Sequence, residues 1–368
     1  QFHDFAEDGR PQNYPVIAGT ETLYPYAPQI RHAFINSRDR RNLLAAGLPA
    51  ENSLLLANAI TAPPQTKALE RPPEQPLVLY PVRGIRRKNL GELFLLAALA
   101  PKGSRFAVSL GPGNPRWLPY HEEWAAFAED TGLPVLLDVV GKISPAPKAL
   151  RTFASWVRHS THFITTSVSE GFGLGYLEAA AIGKPLLGRN LPEVTNDFAG
   201  EGITPGRLYD RLLVPASWVG IETLRQRLIR SLRGTLETYG QSMSNQQLDK
   251  SFAAMIHKGH LDFGNLPEDL QRQVIHRLLA GDGADAVLVQ TGGDFSPARA
   301  WLGKTLKQKK PTATVEQLEP YSTANYQAEL EALYAEVLAA KPEDPRYLPK
   351  HKVLAEFLKP GSFKFLCS

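Results

Sequence analysis

Glu170 and Glu178 stand eight positions apart, and Gly171-Phe172-Gly173-Leu174-Gly175 runs between them. Three glycines alternate with apolar residues before a helix-forming run begins, and Gly183 with Pro185 supplies a stop signal. The apolar run Phe163-Ile164-Thr165-Thr166 just upstream reads as a short buried strand, so the unit is strand, glycine-rich loop, helix. Such a unit aims unpaired backbone N–H groups and the positive end of a helix dipole at whatever occupies the loop. A phosphate suits it. Carboxylates repel phosphate, so Glu170 and Glu178 are better placed to accept hydrogen bonds from hydroxyls beside one. Sugars and riboses supply such hydroxyls.

A second turn of the same kind follows the buried-type run Leu77-Val78-Leu79-Tyr80-Pro81-Val82. Arg83, Arg86, Arg87 and Lys88 crowd it just before a Leu- and Ala-rich helix from Leu90 to Ala100. Like charges close together, at the positive end of a helix dipole, are unfavourable there. An anionic ligand would relieve the conflict. In an alternating strand and helix chain, two phosphate-suited turns that each follow a strand fall at one edge of a doubly wound sheet.

The Glu170 to Glu178 spacing, with Gly-Phe-Gly-Leu inside it, resembles the signature of the retaining glycosyltransferases of group 1 (family 4), which have the GT-B fold of two Rossmann-like domains. The resemblance implies that Glu170 holds hydroxyls of the donor hexose and Glu178 the nucleotide ribose. The backbone of Gly171, Phe172, Gly173, Leu174 and Gly175 would contact the diphosphate. Arg83, four residues, Lys88 matches the family's basic pair, also on the diphosphate, and His3 takes the place of a histidine facing the anomeric centre. Glu170 and His3 are thus the expected catalytic residues. The implied donor is a nucleotide-diphosphate sugar, a UDP-sugar first among them, although nothing in the loop 141–147 selects the base. No metal is required, the leaving phosphate taking the acceptor proton. Many relatives carry a glycine pair where this chain has Asn190 and Leu191, which alters one edge of the pocket. Two other readings stay open: a sugar-nucleotide-binding protein without turnover, and a sugar-nucleotide epimerase on the same fold.

Around these residues the chain divides as the resemblance implies. Residues 1–60 read as a partial N-terminal acceptor domain, incomplete at its N-terminus, in which Ser37 to Gly47 is a capped helix and Leu54 to Asn58 a strand. A proline-rich linker spans 61–76, and the nucleotide-sugar-binding domain spans 77–240, with Val135 to Val140 among its strands. A mixed, mainly helical insertion or divergent lobe covers 241–320. The closing helix and an apolar tail occupy 321–368, with Leu330, Leu333, Tyr334, Val337 and Leu338 on one side of that helix.

Composition sets the outer limits. The 368 residues are 43% hydrophobic and 21% charged, which excludes disorder as a class and is enough chain for two domains. A net charge of +4 fits an enzyme of anionic substrates, with peripheral membrane contact open, and argues against a nucleic-acid binder. Cys367 is the single cysteine, so neither an intrachain disulfide nor a cysteine metal cluster is available, and a reducing, cytoplasmic setting is expected. Carbohydrate, lipid-linked or small-molecule acceptors are the expected partners, together with homo-oligomerisation.

Overall fold

The computed structural model describes residues 10, 11, 14, 22–61, 74–141 and 151–367. His3, most of the proline-rich linker and most of the loop 141–147 lie outside them.

The first unit is small. After β1 (Pro25–Tyr26), β2 (His32–Phe34) and β3 (Ser53–Leu55) pair in parallel, joined by α1 (Ser37–Ala45). The helix is capped by Asn36, whose side chain accepts from Asp39 N at 2.8 Å, so the cap falls one residue before the expected serine.

The main unit is a six-stranded parallel sheet. Its strands are β4 (Leu77–Arg83), β5 (Arg105–Leu110), β6 (Val135–Leu136), β7 (His162–Thr165), β8 (Leu186–Arg189) and β9 (Arg207–Tyr209), in spatial order β6-β5-β4-β7-β8-β9. Val78, Leu79 and Tyr80 of β4 are buried, as a strand covered on both faces requires. Strand β6 is shorter than expected. Asp138 takes a left-handed conformation, φ 54°, and its carboxylate accepts from Gly111 N at 2.7 Å, which turns the chain out of the sheet.

Helix α2 (Leu90–Leu99) is apolar almost all round and buried almost throughout, between the sheet and a later helix, Glu268–Leu279. It is followed by α3 (Leu118–Thr131), α4 (Phe153–His159), α5 (Leu174–Ala181) and α6 (Pro192–Gly200). The chain builds β4, β5 and β6 to one side and then crosses back to lay β7 on the other side of β4. Strand order therefore reverses between β4 and β7, and their C-terminal ends open onto the crevice where ligands of such sheets bind. The basic turn follows one of these strands and the glycine loop the other.

The mixed region carries a second sheet. Strands β10 (Arg211–Pro215), β11 (Ile256–His257), β12 (His260–Asp262), β13 (Leu288–Thr291) and β14 (Asp294–Pro297) form an antiparallel sheet, order β11-β12-β10-β13-β14. It begins at Arg211 rather than beyond residue 240. Helices α7 (Ile221–Thr238), α8 (Asn245–Ala253), α9 (Glu268–Leu279) and α10 (Ala298–Thr305) accompany it.

Near the end, α11 (Thr323–Ala339) has no fully buried residue, and Leu338 is 85% exposed. The helix reaches the first unit through Glu336, 3.5 Å from Arg31, and the next segment completes the return: β15 (Arg346–Tyr347) pairs with β1, and α12 (Lys350–Phe357) buries Val353, Leu354 and Phe357 against Phe34 and Leu43. Among the described residues no helix is long and apolar enough to cross a membrane.

Candidate functional site

The crevice between β4 and β7 holds a cleft of about 450 Å³. Tyr80, Arg83, Arg87 and Lys88 line it from the β4 side, Glu170 to Gly175 and Glu178 from the β7 side, and Ile35 with Asn58 from the first unit. The structure brings together every site residue expected from the sequence except His3, which lies outside the described residues.

Glu170 sits at the centre, its side chain 14% exposed. It accepts from Arg87 Nη1 at 2.7 Å, from Ser167 Oγ at 2.6 Å and from Lys88 Nζ. Burial alone would push its carboxyl up, but Lys88 and Arg87 outweigh burial and hold it below the usual carboxylate range. Glu178, one helical turn into α5, differs. Burial raises its carboxyl and only Lys88 opposes. One ammonium thus sits in the field of both carboxylates.

The crowded cations are relieved within the protein. Arg86 pairs with Glu268 at 2.6 Å, while Arg87 and Lys88 share Glu170. The local conflict seen in the sequence therefore needs no ligand to resolve it. Exposed Arg83 is outside this pairing, and its guanidinium lies close over Gly113, where an added Cβ would meet it at 3.1 Å.

The glycines divide into two kinds. Gly173 has φ 83°, and a Cβ there would stand 2.7 Å from Val194 and 2.8 Å from the Tyr176 ring, so the fold itself requires it. Gly175 lies in the first turn of α5 and a Cβ there would meet nothing within 4 Å. No protein neighbour demands a glycine at that position. It leaves the backbone bare towards the cleft. Phe172 is turned into the core against Phe198 and Tyr321, so the loop offers backbone rather than an aromatic ring at that position.

Three participants were not singled out in the sequence. Tyr80 Oη and Ser167 Oγ share a 2.7 Å hydrogen bond, and Ser167 passes its own to Glu170, which fixes that carboxylate from below. Burial and the nearby Glu170 push the Tyr80 phenol up to about 12, so it stays neutral. Asn36 Nδ2 donates to Gly171 O at 2.8 Å. The signal that could have found Ser167 is its place three residues before Glu170, a reach typical of a side chain bonding within a turn.

The edge lacking the family's glycine pair is built differently. Arg189, 6% exposed at the side chain, pairs with Glu92 and with Asp262, each at 2.7 Å. It thereby ties the end of β8 to α2 and to the second sheet. Among the described residues no group of three or more His, Cys, Asp or Glu is placed to hold a metal ion.

No family model matches the chain. It is 28% identical over 307 residues to mannosylglucosyl-3-phosphoglycerate synthase of Petrotoga mobilis, covering 74% of this chain and 55% of the relative. The chain thus spans about half the length of that curated relative. Among solved structures it is similar to sucrose-phosphate synthase from Thermosynechococcus elongatus, with TM-score 0.44 and 16% identity over 84% of this chain and 58% of that one. It is also similar to TarM, with TM-score 0.40 and 14% identity over 82% and 43%.

Proposed function

We propose that this chain, a group 1 glycosyltransferase of GT-B fold, moves a hexose from a nucleotide-diphosphate sugar to an acceptor hydroxyl with retention of anomeric configuration and without a metal ion. The observation that carries the reading is Lys88, paired with Glu170 and within the field of Glu178, beside a glycine loop at the reversal point of a parallel sheet.

The donor's diphosphate lies over the bare backbone at Gly175 and the first turn of α5, with Lys88 and Arg83 facing it. Glu170, ionised and oriented by Ser167, accepts from hydroxyls of the hexose. Glu178 accepts from the ribose. Charge grows on the leaving diphosphate as the glycosidic bond breaks, and fixed donors aimed at it lower the barrier without reorganising. Removing one such donor costs about 2.7–4 kcal/mol of transition-state stabilisation by analogy with oxyanion holes. The leaving phosphate takes the acceptor's proton. His3 is assigned to the anomeric centre on the family resemblance alone.

The test is calorimetric titration of UDP-, GDP- and ADP-sugars into the full chain, UDP-sugars first, alongside Lys88→Ala and Glu178→Ala. One nucleotide series should bind, and both substitutions should weaken it. Turnover is then followed with a panel of sugar acceptors headed by 3-phosphoglycerate glycosides, since the name of the Petrotoga relative places that group in its product. Nuclear magnetic resonance of the product reports the anomeric configuration, and addition of a chelator reports metal dependence. Binding by none of the three series would remove the reading. Turnover only in the absence of acceptor, giving an epimeric sugar nucleotide, would replace it with the epimerase.

A further inference from the structure

A second cavity, of about 700 Å³, opens where the edge of the parallel sheet meets the second sheet and the C-terminal tail. It shares no lining residue with the donor cleft. Its walls are chemically unlike. Leu228 and Leu232 of α7, Met255 and Phe363 give the cavity apolar lining, and Arg211, Lys250 and Lys364 bring cations to it.

The carboxylates that line the cavity are mostly engaged by internal donors. Asp262 takes the Arg189 guanidinium and Gly264 N, and Asp210 takes Asn190 Nδ2 and Gly292 N. Glu193 reaches Lys364 only at 3.9 Å. Arg189 is likewise spent, on Glu92 and Asp262. Arg211, by contrast, donates to a neutral acceptor, Gln290 Oε1, at 2.9 Å. Lys250 is exposed on α8 and lines the same cavity. What faces the space is therefore rich in cationic donors and bounded by apolar surface.

We propose that this cavity is a second binding site, separate from the donor cleft, for a small organic phosphate monoester: Arg211 and Lys250 hold the phosphate, and the α7 and Phe363 side covers the organic part. A phosphate presents charged acceptor oxygens where Arg211 now has a neutral one, and a guanidinium can bind two of them at once. The tail is part of the wall. Phe365 N donates to Asn265 Oδ1 at 2.7 Å, which anchors the segment whose Phe363 and Lys364 line the cavity.

Phenyl phosphate and inorganic phosphate serve as probes in calorimetric titrations of the full chain, its Lys250→Ala, Arg211→Gln and Lys88→Ala variants, and the chain saturated with nucleotide. Phenyl phosphate should bind the parent chain, and Lys250→Ala and Arg211→Gln should each weaken it about tenfold, the loss expected of a hydrogen bond to a charged group. Lys88→Ala and added nucleotide should leave it unchanged. Inorganic phosphate should bind more weakly, lacking an apolar body. Lys250 is exposed, so its variant stays interpretable even where Arg211→Gln disturbs the second sheet. No binding of phenyl phosphate overturns the proposal, as does binding that ignores both cavity substitutions. Competition by nucleotide, or loss in Lys88→Ala, would place the phosphate in the donor cleft and overturn it equally. Inorganic phosphate binding as tightly as phenyl phosphate would overturn the role given to the apolar wall.

Discussion

Asn36 Nδ2 reaches the carbonyl of Gly171 at 2.8 Å, so the residue that caps the first helix also holds the glycine loop of the main unit. The same side chain donates to Asp39 Oδ2 at 2.9 Å and accepts from Asp39 N. Nearby, Ser37 N donates to Asp197 Oδ2 at 2.8 Å, so the two units are latched at two points beside the cleft. Cap and latch can be separated. Asn36→Ser keeps an acceptor for Asp39 N but loses the amide donor to Gly171 O and Asp39 Oδ2, and should cost about 2 kcal/mol, the worth of two hydrogen bonds. Asn36→Ala loses the cap as well and should cost about 3 kcal/mol. Urea denaturation measures both, and equal losses in the two variants would show that the cap contributes nothing.

The two glycine types of the loop should respond in opposite ways. Gly173→Ala forces a Cβ into Val194 and Tyr176 at a left-handed position, and should destabilise the chain by about 2 kcal/mol. Gly175→Ala meets no protein atom and lies in a helix, so it should be neutral or stabilise by up to about 1 kcal/mol. If a diphosphate lies on that backbone, the same Gly175→Ala change must weaken nucleotide binding. A stable variant with unchanged nucleotide affinity would move the diphosphate elsewhere.

The opposed carboxyls give opposed pH signatures. Glu170 in the folded chain lies below its ordinary 4.5, so its pairing contributes fully above that value and is lost as pH falls through the folded value. Glu170→Gln, which strands Lys88 and Arg87, should therefore cost about 3 kcal/mol near neutral pH, and its deficit should close on acidification below 4.5. Glu178 is raised instead, so its ionisation costs stability as pH rises through the folded value. Glu178→Gln should accordingly gain stability at neutral pH and lose that gain in acid. Thermal melts of the three proteins between pH 3 and 8 test this, and parallel curves would mean that neither carboxyl is perturbed.

Much of this was legible in the chain because its information is local. The two turns each follow an apolar run and precede a helical one, so their place at one sheet edge follows from alternation alone, and the doubly wound parallel sheet is present. Pairing between distant residues was not legible. Arg86 finds Glu268 and Asn36 finds Gly171 across more than a hundred residues, and no short-range pattern records such choices. Of the second sheet only the apolar run Ala286 to Val289, which overlaps β13, was legible, and the rest was obscured for a different reason. Its strands are two to five residues long, and β12 reads His-Leu-Asp, too short and polar to show a period of two.

Arg189 lies beside Asn190 at the C-terminal end of β8, and its energetics follow from burial. Glu92 is fully buried; burial pushes its carboxyl up and Arg189 opposes, while Asn89 Nδ2 at 2.9 Å and the Tyr209 hydroxyl also donate to it. Arg189→Met would leave that carboxylate without its counter-charge and should cost about 3–5 kcal/mol. Adding Glu92→Gln removes the stranded charge and keeps partners for Asn89 and Tyr209, so the double variant should recover a substantial part of the loss. Because the cluster joins β8, α2 and the second sheet, the single variant should also lower the protection of β12 amides in hydrogen exchange. A double variant no more stable than Arg189→Met would show that the arginine's value lies in its packing and in its bond to Asp262, not in neutralising Glu92.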